Sequence, residues 1–161
     1  MAGHTVYLSL GSNLGDRRAQ IESALALLQK EFIRIVKHSS LYETEPVDMV
    51  EQPWFLNCVV EAQTDLSPRE VLEAIQRIEE QLGRERTILR GPRTIDIDVL
   101  LYDAIVLREP QLEIPHPRMT GRRFVLVPFA EIAPELVHPT WHRTIGDLLA
   151  ACVDRSEVRV V

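Results

Sequence analysis

Asp96 and Asp98 stand two residues apart in the stretch Thr94-Ile95-Asp96-Ile97-Asp98-Val99-Leu100-Leu101, whose alternate positions 95, 97, 99 and 101 are all aliphatic. In a β-strand residues i and i+2 share a face, so both carboxylates point one way, their Cα atoms about 6.6 Å apart. Two carboxylates about 6 Å apart repel by about 3 kcal/mol at an effective dielectric of about 20. Such a pair is either the solvated face of an alternating strand or a place where a divalent cation cancels the repulsion. Mg²⁺ prefers oxygen ligands, keeps several waters and is commonly shared between carboxylates and the phosphates of a substrate.

The residues just before the pair favour the cation. Arg84, Arg86, Arg90 and Arg93 fall within ten residues that hold one acid, Glu85, a local charge of +3 on a chain of −6. Only Lys30 and Lys37 are lysines, so 16 of the 18 basic residues are arginine, whose planar fork grips phosphate in two-point fashion. Genomic composition accounts for such a skew equally well, but not for the clustering. Carboxylates that collect metal beside guanidiniums that collect phosphate oxygens describe a nucleoside triphosphate site. Four guanidiniums so close repel one another, so the segment is expected to close over the site once bound triphosphate supplies counter-charge.

Other candidates are weaker. His116 is held between two prolines in Ile114-Pro115-His116-Pro117, whereas His4, His38, His138 and His142 show no partner pattern and read as structural. Asn57, two residues after Phe55 and on the same strand face, is an amide where an apolar residue is expected, which suggests recognition of a planar polar ligand. Phe55 and Phe124 read first as core aromatics. GxxxxGK[ST] is absent, and Gly11-Ser12-Asn13-Leu14-Gly15-Asp16 reads as a tight turn and helix cap rather than a phosphate loop.

The elements that must position these residues follow from periodicity. Thr5 to Leu10 reads as a strand, followed by a helix capped by Asn13 with Ile21, Ala24, Leu25, Leu28 and Phe32 at helical spacing. Ile33 to Tyr42 and Phe55 to Gln63 look extended, joined by a loop from Glu43 to Trp54 that is long for a hairpin. Ser67 caps a second helix, with Pro68 at its first position, Glu70 completing a capping box, and Leu72, Ile75, Ile78 and Leu82 as its apolar stripe up to Gly83. The aspartate strand comes next, giving the order βαββαβ. The predicted fold class is therefore α+β, a ferredoxin-like core with a C-terminal extension of short strands and helices: IVL, FVLV, a helical turn near Glu131, another at Ile145 to Ala150, and EVRVV.

The totals allow little else. A chain of 161 residues suits one domain, so 1–161 is read as a single unit. The net charge of −6, and the lack of an RNA-binding aromatic pattern, argue against a nucleic-acid partner. No apolar run is long enough for a membrane span, and no leader pattern opens the chain. Cys58 and Cys152 give neither a disulfide framework nor metal-ligand spacing. A reduced cytoplasmic protein acting on small molecules, with no obligate protein partner evident, is the expectation.

The motifs YLSLGSNLGDR, SSLYETEPV, QPWFLN, QRIEEQLGRER, GPRTIDIDVLLY, IPHPRM and RRFVLVP, in this order from Tyr7 to about Pro139, resemble the 6-hydroxymethyl-7,8-dihydropterin pyrophosphokinases of folate biosynthesis. The resemblance implies transfer of pyrophosphate from ATP to a pterin alcohol. It assigns Asp96 and Asp98 to two Mg²⁺ ions, and Arg84 and Arg93 to the reacting phosphates. Phe55 and Phe124 would sandwich the pterin, with Thr44, Pro46, Val47 and Asn57 around its edge. Gln76, Glu79, Arg86, Arg90, Ile97, Val99, His116 and Arg122 would surround ATP. The chain departs from many members before Gly91, where it is one residue shorter and lacks their tryptophan, and at Gln111 and Glu113.

Overall fold

The structure, a computed structural model, describes residues 3–46, 51–83 and 95–161. Alternation in the first motif becomes β1 (His4–Ser12), which leads into α1 (Arg17–Lys30). The cap of α1 is Asp16, whose carboxylate accepts from the Ala19 N–H, and not Asn13 as the sequence suggested. Both side chains suit the position chemically. Asn13 is drawn away by tertiary partners, donating through Nδ2 to Gln52 Oε1 and Pro53 O at 2.8 and 2.9 Å.

The extended stretch after α1 is two strands, β2 (Arg34–His38) and β3 (Tyr42–Thr44), both paired antiparallel with β4 (Phe55–Thr64). Ser39, buried at the break between them, accepts the Val59 N–H through Oγ, so the interruption keeps its hold on β4. The capping box of α2 (Pro68–Gln81) forms as its sequence dictates, Ser67 and Glu70 each accepting the other's backbone N–H. Gly83 closes the helix at φ +78°, a conformation that favours glycine. The buried stripe of α2 is Val71, Ala74, Ile75 and Ile78, with Leu72 and Leu82 at its margins.

The aspartate stretch is β5 (Asp96–Tyr102), antiparallel to β1 at an edge of the sheet. Across the sheet the order is β5, β1, β4, then β2 and β3 side by side along β4, then β8 (Val158–Val160) on the far edge of β3. The terminal EVRVV is therefore a member of the main sheet. A two-stranded hairpin of β6 (Leu107–Glu109) and β7 (Leu112–Ile114) turns at Gln111, which takes φ +69° without being a glycine, so the sequence did not signal it.

Helices cover both faces of the sheet. Val6, Leu8, Leu10, Cys58 and Val60 pack against α1 and α2. Tyr7, Val59 and Leu100 face α3 (Arg123–Ile132) and α4 (Ile145–Ala151). Full burial of one such aliphatic side chain contributes about 1.5–3 kcal/mol. The FVLV segment, read as a short extended piece, is the first half of α3. β-branched residues and Pro128 argue locally against a helix, but burial of Val125, Leu126, Phe129 and Ile132 between sheet and α4 decides for it. Among the described residues no helix is long and apolar enough to cross a membrane.

Candidate active site

Register brings the site together. Gly11 of β1 lies opposite Asp96 of β5 on one side and Asn57 of β4 on the other, and Asn57 lies opposite Tyr42 of β3. Paired residues of an antiparallel ladder share a face, so Asp96, Gly11 and Asn57 form one row across three strands. Asp98 follows in the next row, opposite Ser9. This is the face that α3 covers farther along the strands, so the row lies beyond the rim of that core.

Gly11 has a specific reason to be glycine. A Cβ there would collide with Asn57 Oδ1, and Phe55 Cδ2 lies 3.6 Å from the same point. Asn57 is buried and donates from Nδ2 to Thr44 Oγ1 at 2.6 Å, so the amide cannot swing aside without losing that bond. Gly11→Ala is expected to destabilise the fold by about 1–3 kcal/mol and to displace the amide. Denaturant unfolding measures the first effect and the NMR signal of the Asn57 side-chain amide the second. An unshifted amide signal would show that the row accommodates the methyl group without moving Asn57.

Among the described residues β5 is an edge strand of the sheet. A cavity of about 260 Å³ opens there, walled by Leu72, Ile75, Ile97, Val99 and Leu112, with Asp98 and His116 also lining it. Leu72, Ile75 and Leu112 are additions to the expected set; Leu72 and Ile75 read in the sequence only as the apolar stripe of the second helix. Gln111 and Glu113 also line this cavity.

Glu79, expected near ATP, is buried and accepts the Ile97 N–H through Oε2 at 2.9 Å, supporting the strand that carries the aspartates. Gln76 is exposed on α2. Arg122 lies over the Phe124 ring, its Cζ 5.5 Å from the centroid, and Phe124, in the first turn of α3, packs at the margin of the core. Thr44 and Pro46 are buried at the end of β3. Val47, Arg84, Arg86, Arg90 and Arg93, and with them the expected closing segment, lie outside the described residues.

His116 is held neutral. Burial is the main cause, and the charges of Arg122 and Arg118 push the same way against Asp96, lowering the imidazole from 6.5 to about 4. Its Nδ1 accepts the Arg118 N–H at 3.2 Å, so Nε2 carries the proton and is a donor. The pH dependence follows. Between 6.5 and about 4 the unfolded chain binds the proton and the folded chain does not. This contribution to stability is complete above pH 6.5 and is lost as pH falls toward 4. Urea unfolding at pH 7 and pH 5 should show a smaller loss in His116→Gln than in the native chain; equal losses would mean that other groups govern the acid limb.

Among the described residues no group of three or more His, Cys, Asp or Glu side chains could enclose a metal ion. The pair Asp96 and Asp98 nonetheless fits a cation that takes one or two carboxylates and completes its shell with water and substrate phosphate, which is how Mg²⁺ binds.

Residues 7–134 match the family 7,8-dihydro-6-hydroxymethylpterin-pyrophosphokinase (HPPK). The 2-amino-4-hydroxy-6-hydroxymethyldihydropteridine pyrophosphokinase of Bacillus subtilis is 48% identical over 131 residues, covering 81% of this chain and 78% of that protein. The Pseudomonas aeruginosa enzyme of the same name is 43% identical over 148 residues, covering 91% of each. The folic acid synthesis protein fol1 of Schizosaccharomyces pombe is 47% identical over 89% of this chain, which spans only 20% of that protein. An HPPK-DHPS structure from Plasmodium falciparum superposes with a TM-score of 0.74 at 20% identity, over 93% of this chain and 44% of that one. The mixed helix-and-sheet fold is thus that of solved HPPK structures. The chain belongs to the 7,8-dihydro-6-hydroxymethylpterin-pyrophosphokinase family.

Proposed function

We propose that this chain transfers pyrophosphate from ATP to 6-hydroxymethyl-7,8-dihydropterin, giving the pterin diphosphate and AMP in folate biosynthesis, and that residues 1–161 act as one Mg²⁺-dependent domain. The observation that carries the reading is the row Asp96–Gly11–Asn57, which sets a cation-collecting acid across one strand from a locked amide. The strand order β5, β1, β4 and β2/β3, antiparallel throughout, supports the ferredoxin-like βαββαβ description of the core.

Each residue then has a task. Phe55 and Phe124 stack on the pterin rings, while Asn57, buried against Thr44, reads the polar edge with an amide whose orientation is fixed in advance. Ile97 and Val99 line the nucleotide cavity, with Leu72, Ile75 and Leu112 completing its apolar wall. His116 offers a neutral Nε2–H donor beside Asp98 in that cavity. Asp96 and Asp98 would hold two Mg²⁺ ions, which would supply charge neutralisation of the triphosphate. Arg122, together with Arg84, Arg86, Arg90 and Arg93, stabilises charge on the phosphates. The pterin hydroxymethyl oxygen attacks the β-phosphorus in line, and AMP leaves.

The test is direct. Incubation with MgATP and the pterin alcohol should release AMP and pterin diphosphate in equal amounts, and chelation of the metal should abolish the reaction. Release of ADP, or AMP formed without the pterin, would reject the reading.

A further inference from the structure

The first turn of α3 carries Arg122 and Phe124, yet its start has no cap of its own: Arg122 occupies the N-cap position and makes no side-chain hydrogen bond there. The missing acceptor comes from 31 residues away, where Asp154 Oδ2 accepts the Arg123 N–H at 3.0 Å. A carboxylate suits an exposed helix N-terminus both as an acceptor and through the helix dipole. Asp154 is itself held, since its Oδ1 accepts the Ser156 N–H at 2.9 Å and the Ser156 hydroxyl at 2.6 Å. Arg123 closes the loop from the other side, donating from Nη1 to Ser156 O at 3.2 Å. Burial pushes the Asp154 carboxyl up, but these donors and the Arg123 charge outweigh it and hold the group below its ordinary range.

The same tail supports the opposite wall. Two residues after Ser156 it enters β8, which places Val158 opposite Thr44 and Val160 opposite Tyr42. Glu45 N–H donates to Glu157 O, and Glu157 N–H donates back to Glu45 Oε1. Residues 154–160 thus join the strand that carries Thr44 to the helix turn that carries Phe124, and they lie beyond the family match, which ends at 134. We infer that Asp154 is a positioning residue for the pterin pocket: by capping α3 from the C-terminal tail it sets the distance between Phe124 and the Thr44–Asn57 pair. This rests on the reading of Phe124 and Asn57 as pterin contacts.

The experiment uses the full chain. Asp154→Ala is expected to raise the dissociation constant and KM for 6-hydroxymethyl-7,8-dihydropterin about tenfold while KM for ATP stays within about twofold, because only the pterin wall is displaced. Asp154→Asn keeps one acceptor for the Arg123 N–H and should fall between Asp154→Ala and the native chain. Ser156→Ala removes a donor that orients Asp154 and should shift pterin affinity in the same direction by a smaller factor; with Asp154→Asn it decides the matter if Asp154→Ala does not fold. A lowered melting temperature with unchanged pterin affinity, measured well below that temperature, would make Asp154 purely structural and overturn the inference. Failure of the native chain to bind the pterin would instead overturn the proposed function, and this inference with it.

Discussion

Replacing either Asp96 or Asp98 by alanine is expected to lower turnover at least about a hundredfold at saturating substrates, since in the proposed reaction each would support charge neutralisation in the transition state. The two are not interchangeable in position. Asp96 sits in the row with Gly11 and Asn57, toward the proposed pterin, whereas Asp98 lines the cavity proposed for the nucleotide. Asp98→Ala should therefore weaken binding of a Mg²⁺-loaded ATP analogue more than Asp96→Ala does. Asp96→Ala should fall mainly on kcat. In the metal-free protein the melting temperature should hold or rise in both variants as the repulsion between neighbouring carboxylates is relieved. A steady-state assay across Mg²⁺ concentrations, with melting curves in chelator, separates these effects. Native turnover in either variant would remove that residue from the metal site, and a collapse of stability without metal would mean that the pair serves the fold.

What could be read in the chain was local. The capping box at Ser67 and Glu70 needs only residues three apart, and it formed as written. The alternation around Asp96 and Asp98 likewise settles their common face without knowledge of any neighbour. The features that sequence did not disclose depend on partners far away along the chain. Asn13 and Asp16 are both good caps, and the choice falls to Asp16 because Gln52 and Pro53 occupy Asn13. Segment FVLV becomes helical through burial under the sheet, against its own β-branched character and Pro128. Gly11 resembles any turn glycine until the register puts Asn57 over its Cα. Asp154 has no local pattern at all, since a cap supplied from 31 residues away obeys no spacing rule. The residue types of the candidate site were thus legible and their support was not.

Removing the Asn57 amide should separate pterin recognition from nucleotide binding. Asn57→Ala deletes a buried group that donates to Thr44 Oγ1 and whose Oδ1 lies over Gly11. A recognition site that loses such a group leaves a polar edge of its ligand without a partner, at a cost of about 1–3 kcal/mol, roughly 5- to 150-fold in dissociation constant. The cavity proposed for the nucleotide lies at the β5 edge, two strands away from β4, so affinity for a Mg²⁺-loaded ATP analogue should change by less than about twofold. Thr44→Val is the informative companion. It leaves the amide in place but releases its anchor, so the cost should come from lost orientation alone and should be smaller than in Asn57→Ala. Calorimetric titration of each variant with each ligand gives the four constants needed. Equal losses for both ligands in Asn57→Ala would show that Asn57 supports the sheet as a whole, because a damaged strand β4 would disturb β1 and, through it, the aspartates on β5.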